Sequence, residues 1–202
     1  MPTEKKIKNR RLSDEPMLPW GTKGRFVDDK KKLAEIITAL RTIGAKIVLT
    51  MGAFDFIHIG HFLYLEKGRS HGDVLIVGVD SDAKVRARKG PDRPIVDENE
   101  RVQMLTHVRH VDIVTLKRHD DPKWALIKLI KPDTLIATKE TYTKEQLKQL
   151  KKYCGDIVIL EPQATTSTTA KLRRLNIGLS RKMQDAITES INETFEKLMK
   201  NV

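Results

Sequence analysis

From residue 28 to residue 161, short apolar runs rich in β-branched side chains alternate with segments whose apolar positions recur every three or four residues. The runs lie at 46–51, 74–79, 111–116, 134–137 and 157–160. They lack a clean two-residue alternation, as strands buried on both faces do. A helical stripe of Leu33, Ile36, Ile37 and Leu40 begins after Asp28, with Gly44 as its stop. Further helical segments are expected at 60–70, 81–88, 98–108, 122–130 and 144–153. Strands separated by helices predict an α/β fold, a doubly wound Rossmann-like parallel sheet with helices on both faces. In such a sheet the ligand crevice lies beyond the carboxyl ends of the strands, where strand order reverses.

The flanks read differently. Residues 1–27 are charged and broken by Pro2, Pro16, Pro19, Gly21 and Gly24, so they predict a basic, partly irregular N-terminal tail able to drape over the domain through Trp20 and Phe26. Residues 28–178 form the expected domain. Within 179–202, Met183, Ile187, Ile191, Phe195 and Leu198 share one face of a C-terminal amphipathic helix. That face suits packing back on the domain or the contact of a homodimer.

Composition narrows the class. At 202 residues and 39 % hydrophobic content, the chain suits one core with appendages. Its single cysteine, Cys154, leaves no disulfide framework, as expected of a cytoplasmic protein. No long apolar run or signal pattern suggests a membrane partner. The net charge of +11 invites a polyanion, but the cations are scattered: Lys5, Lys6 and Arg10 at one end, Lys148, Lys151 and Lys152 mid-chain, Arg173 and Arg174 later. No aromatic residues interleave with them, which speaks against nucleic acid and leaves an anionic small molecule or solubility.

Candidate chemistry concentrates in GAFDFIHIGH, residues 52–61, directly after the first strand. His58 and His61 are three apart, so on a helix they share a face. No cysteine cluster or H-E-x-x-H pattern accompanies them, which argues against a metal site. Gly60 would let a ligand approach the helix N-terminus, where unpaired N–H groups and the positive dipole end favour phosphate. A run of hydroxyl residues, Thr165 to Thr169, leads to Lys171 and exceeds what helix capping needs. Two phosphate cradles, one after the first strand and one after the last, suit a nucleoside triphosphate.

These segments resemble the G-x-F-D-x-x-H-x-G-H signature and the C-terminal S-T-T motif of the cytidylyltransferase-like nucleotidyltransferases. The chain is most similar to the adenylyltransferase domain of ADP-heptose synthase and to glycerol-3-phosphate cytidylyltransferase. The likeness runs from about residue 32 to 175 and takes in GDVLIVGVDSD, KGPDRPI, ENERVQML and KPDTLIA in order. It implies transfer of a nucleoside monophosphate from ATP or CTP to a phosphorylated small molecule, with Mg²⁺ accompanying the nucleotide and pyrophosphate released. By the same likeness His58, His61 and Lys89 would be catalytic. Gly52, Ala53, Phe54, Asp55, Gly60, Arg86, Arg101, Thr166, Ser167, Thr168 and Thr169 would bind the nucleotide, and Asp82 would orient the site. Two stretches depart from the relatives: ATKETYT replaces a glycine-rich segment such as K-G-G-D, and EPQATT lacks an arginine. Both should line the base or acceptor pocket, so an FMN-adenylating enzyme is an alternative acceptor reading, and a non-catalytic nucleotide sensor or RNA-binding protein is an alternative of another class.

Overall fold

The computed structural model describes residues 24–161, 183–184 and 186–191, and the chain divides into two units, Met1–Gln163 and Ala164–Val202. In the first unit α1 (Lys30–Thr42) precedes β1 (Ile47–Gly52), α2 (Ile59–Arg69), β2 (Val74–Asp80), α3 (Asp82–Lys89) and α4 (Glu98–Thr106). Then come β3 (Ile113–Lys117), α5 (Ala125–Ile130), β4 (Thr134–Ala137), α6 (Lys144–Leu150) and β5 (Asp156–Ile159). The five described strands are parallel, in the order β3-β2-β1-β4-β5. This is the expected doubly wound sheet. Its strand order reverses between β1 and β4, which places the crevice at their carboxyl ends.

The apolar runs are explained by burial on both faces. Successive strand residues point to opposite sides. Ile47 and Leu49 join Leu33 and Ile37 of α1, Ile127 and Ile130 of α5 and Leu150 of α6. Val48, between them, joins Leu65 of α2 and Val102 and Leu105 of α4. Capping sets the helix ends. Ser81 accepts from the Lys84 N–H at 3.3 Å, so α3 starts one residue later than expected. Trp124, with φ 61°, breaks the backbone before α5, which starts after the expected Pro122.

At the amino ends of the strands, aspartates take backbone N–H groups of the neighbouring strand. Asp73 accepts from Lys46 at 2.8 Å, Asp112 from Leu75 at 2.7 Å and Asp133 from Ile47 at 2.8 Å. These bonds tie adjacent strands in register at the end away from the crevice. Gly72 belongs to the same corner: a Cβ there would stand 2.8 Å from the Lys46 carbonyl oxygen and 2.7 Å from Val48 Cγ2. Gly72→Ala should therefore lower stability by about 1–3 kcal/mol, read as a lower denaturant midpoint at unchanged slope.

Residues 24–27 lie along β3. Phe26 forms a parallel bridge with Val114, and the Arg25 guanidinium donates to the carbonyls of Thr106, Val108 and Val111. This short arm covers an edge that would otherwise present unpaired backbone groups. Trp20 and the rest of the expected tail lie outside the described residues. In the second unit, residues 183–184 and 186–191 are helical, with Met183, Ile187 and Ile191 exposed. The remainder of the expected C-terminal helix lies outside the described residues. No described helix is long and apolar enough to cross a membrane.

Candidate active site

The chain leaves β1 at Gly52 and enters α2 through a turn that the two histidines close. His58 is the N-cap of α2, and its Nδ1 accepts from the Gly60 N–H at 3.1 Å. His61, one turn into the helix, returns the contact: its Nδ1 accepts from the His58 N–H at 3.3 Å. The ring centroids are 4.3 Å apart, and the Phe54 ring stands 5.8 Å from that of His61. A neutral imidazole that accepts at Nδ1 carries its proton on Nε2. The reciprocal cap therefore fixes both rings as Nε2–H donors at a helix N-terminus, a place suited to anions.

Gly52, the glycine at the start of the turn, is a regular strand residue. The left-handed backbone falls instead on Phe54 (φ 51°) and Phe56 (φ 55°). Such angles cost a bulky side chain on the order of 1–3 kcal/mol each and persist only where surroundings over-determine them. Gly52 has a different reason to lack a side chain, since a Cβ would lie 3.3 Å from the Phe54 ring. Gly60 is buried within the first turn of α2.

Two buried charged residues do the over-determining. Asp55, 4 % exposed, accepts from Arg93 Nη1 at 2.6 Å and from the Ile95 and Val96 N–H groups at 3.0 and 3.1 Å. Arg101, fully buried on α4, donates through Nε to the Val96 carbonyl at 2.9 Å, through Nη1 to the Ala53 carbonyl and through Nη2 to Asp82 at 2.7 Å. One guanidinium thus joins the β1–α2 turn, the loop before α4 and the start of α3. The structure places both residues beneath the turn, where they hold the backbone that a ligand would meet.

Lys89 ends α3 and Arg86 lies one turn before it, so the two share a face. Arg86 is exposed. Lys89 reaches solvent, yet desolvation by partial burial, and then the guanidiniums of Arg88 and Arg93, pull its ammonium below the usual lysine range against the opposing pull of Asp55 and Asp80. Asp55 and Asp80 are thus the carboxylates that act on Lys89.

A neighbouring cluster went unnoticed in the sequence. Asp80, fully buried at the end of β2, lies 2.6 Å from Lys117 Nζ and 3.0 Å from Arg88 Nη2. Asp80 and Lys117 are register partners on adjacent strands. The available signal was an acid closing one apolar run and a lysine closing the next. After β4, the ATKETYT segment makes a tight turn in which Thr138 and Thr141 hydroxyls meet at 2.9 Å, and Tyr142 packs against the core. On β1, Thr50 bonds Tyr64 Oη at 2.8 Å, and burial raises that phenol above its ordinary value. Thr166, Ser167, Thr168 and Thr169 lie outside the described residues.

A family model described as cytidylyltransferase-like matches residues 49–194. The chain belongs to the cytidylyltransferase-like family. A protein of Nitratiruptor sp. described as bifunctional protein HldE is 38 % identical over 149 residues, 73 % of this chain and 32 % of the relative. One of the same description from Geobacter metallireducens is 45 % identical over 113 residues, 56 % and 23 % of the two chains. This chain thus spans about a third or less of those curated relatives. Among solved structures, a lipopolysaccharide core biosynthesis protein from Thermoplasma volcanium is 28 % identical with a TM-score of 0.50, covering 58 % of this chain and 98 % of its own. A pantoate-β-alanine ligase from Francisella tularensis, 18 % identical with a TM-score of 0.52 over 67 % and 66 % of the two chains, shares the fold.

Proposed function

We propose that this chain transfers a nucleoside monophosphate from ATP, or alternatively CTP, to the phosphate of a sugar or polyol phosphate and releases pyrophosphate. The observation that carries the reading is the reciprocal cap of His58 and His61, which presents two imidazole donors at a helix N-terminus on the crevice rim. ATP is favoured by the likeness to the adenylyltransferase domain of ADP-heptose synthase.

The chemistry needs no covalent intermediate. A phosphate oxygen of the acceptor attacks the α-phosphorus, the bond from that phosphorus to the bridging oxygen breaks, and pyrophosphate leaves with the electron pair. Catalysis then rests on alignment and on donors aimed at charge growing on the phosphate oxygens. His58, His61 and Lys89 supply donors, and Asp55 and Arg101 hold the turn. The aspartates nearest the site are each engaged by a cation: Asp55 by Arg93, Asp82 by Arg101, Asp80 by Arg88 and Lys117. They do not offer a ready carboxylate cage, so in this reading Mg²⁺ arrives on the triphosphate and is held by it.

The test is pyrophosphate release from ATP and from CTP, each with Mg²⁺ and a panel of sugar and polyol phosphates. Release that requires one acceptor supports the reading; tight RNA binding with no turnover would replace it by the binding-protein alternative. The Lys89 ammonium adds a pH signature. Its pKa is lowered, so its positive charge is lost as pH rises through a value below that of ordinary lysine. The kcat/KM of the wild type should fall on that alkaline limb, and Lys89→Arg, which stays charged, should move the fall to higher pH.

A further inference from the structure

We propose that Lys117 and Arg88, held by Asp80, bind a second anionic group of the acceptor, at the end remote from the attacking phosphate. This rests on the nucleotidyltransferase reading. Its ground is where the cluster stands and which hydrogen-bonding groups it presents.

The position follows from the sheet. Gly52 at the end of β1 pairs with Val79 of β2, and the next residue, Asp80, pairs with Lys117 of β3. Parallel strands are spaced about 4.8 Å apart, so the Lys117 backbone lies roughly 10 Å to the side of the β1–α2 turn. A group held there stands to the side of the phosphate that attacks beside His58 and His61, where the far end of a phosphorylated sugar would extend.

The cluster is also poorly suited to a purely structural role. A buried ion pair loses the hydration of both partners, and apolar side chains often serve a core as well or better. One carboxylate, Asp80, is here met by two cations, Lys117 at 2.6 Å and Arg88 at 3.0 Å. Lys117 has three N–H donors and Arg88 five, with no acceptor on either. Lys84 adds a third cation close enough to act on Lys117. The excess is of positive charge and donors, which a carboxylate or a second phosphate would satisfy.

The experiment compares fructose 1,6-bisphosphate with fructose 6-phosphate by titration calorimetry. Wild-type protein should bind the bisphosphate about tenfold more tightly, the worth of one charge-assisted contact. Arg88→Gln should reduce that preference. Asp80→Asn with Lys117→Met, which removes the buried pair together and avoids a stranded charge, should abolish it with the affinity for ATP unchanged. Lys148→Met, on α6, controls for general charge and should leave the preference intact. Equal binding of the two sugars by the wild type, or a preference that survives the double change, overturns the proposal. Pyrophosphate release separates the two readings: a preference lost in the double variant with no release from any acceptor sinks the transferase reading alone, and release without preference sinks this inference alone.

Discussion

His58→Asn should reduce turnover by about 10²- to 10³-fold, the effect of losing one transition-state donor, and leave the stability of the protein nearly unchanged. The two outcomes separate because, in the proposed reaction, the histidine has two tasks for its two nitrogens. Nδ1 accepts from the Gly60 N–H and caps α2, and an asparagine oxygen can take over that acceptance, since asparagine is among the best N-caps. Nε2, the donor, has no counterpart in the shorter side chain. His58→Gln should behave in the opposite sense. Its amide extends towards the position of Nε2 and should restore part of the rate, while the misplaced cap should cost about 0.5–2 kcal/mol. Pyrophosphate release paired with a denaturant titration reads both properties. An unchanged rate in His58→Asn would remove the imidazole from the chemistry and leave it as a cap.

Much of the architecture was legible because parallel strands covered on both faces read as unbroken apolar runs, and β1, β2 and β4 fall where those runs predict them. The placement of His58 and His61 at the first strand–helix junction was legible for the same reason. The backbone of that junction was not. Glycine tolerates positive φ best, so Gly52 was the natural choice, yet Phe54 and Phe56 adopt it. The forces that impose those angles come from far along the chain: Arg93 reaches Asp55 across 38 positions and Arg101 reaches Ala53 across 48. No local pattern encodes such partners. Asp55 and Arg101 therefore read as charged residues of the motifs, with nothing in the local sequence to show that they are buried. The Asp80–Lys117 pair was hidden likewise, since it exists only through the register of β2 and β3.

Arg101→Met should destabilise the protein by about 3–5 kcal/mol, the cost of breaking one side of a buried ion pair. Methionine replaces only the aliphatic stem and leaves the place of the guanidinium empty, so the loss combines a cavity with the groups left behind. These are the carbonyls of Ala53 and Val96 and the carboxylate of Asp82. Folded domains are stable by only about 5–15 kcal/mol, so the variant should lie near the threshold of folding. Asp82→Asn in the same chain should recover part of the loss, because it removes the stranded charge; contacting residues couple by about 0.5–3 kcal/mol. Arg101→Lys should fall between, since an ammonium cannot span three acceptors that the planar guanidinium reaches at once. A direct contact between Arg101 and the triphosphate requires the reverse pattern, in which Arg101→Met loses turnover and keeps its denaturant midpoint. Full burial argues for the first pattern: a side chain with no exposed surface would act on a nucleotide only through the Ala53 carbonyl it holds, and the turn carrying His58 and His61 would loosen with its loss.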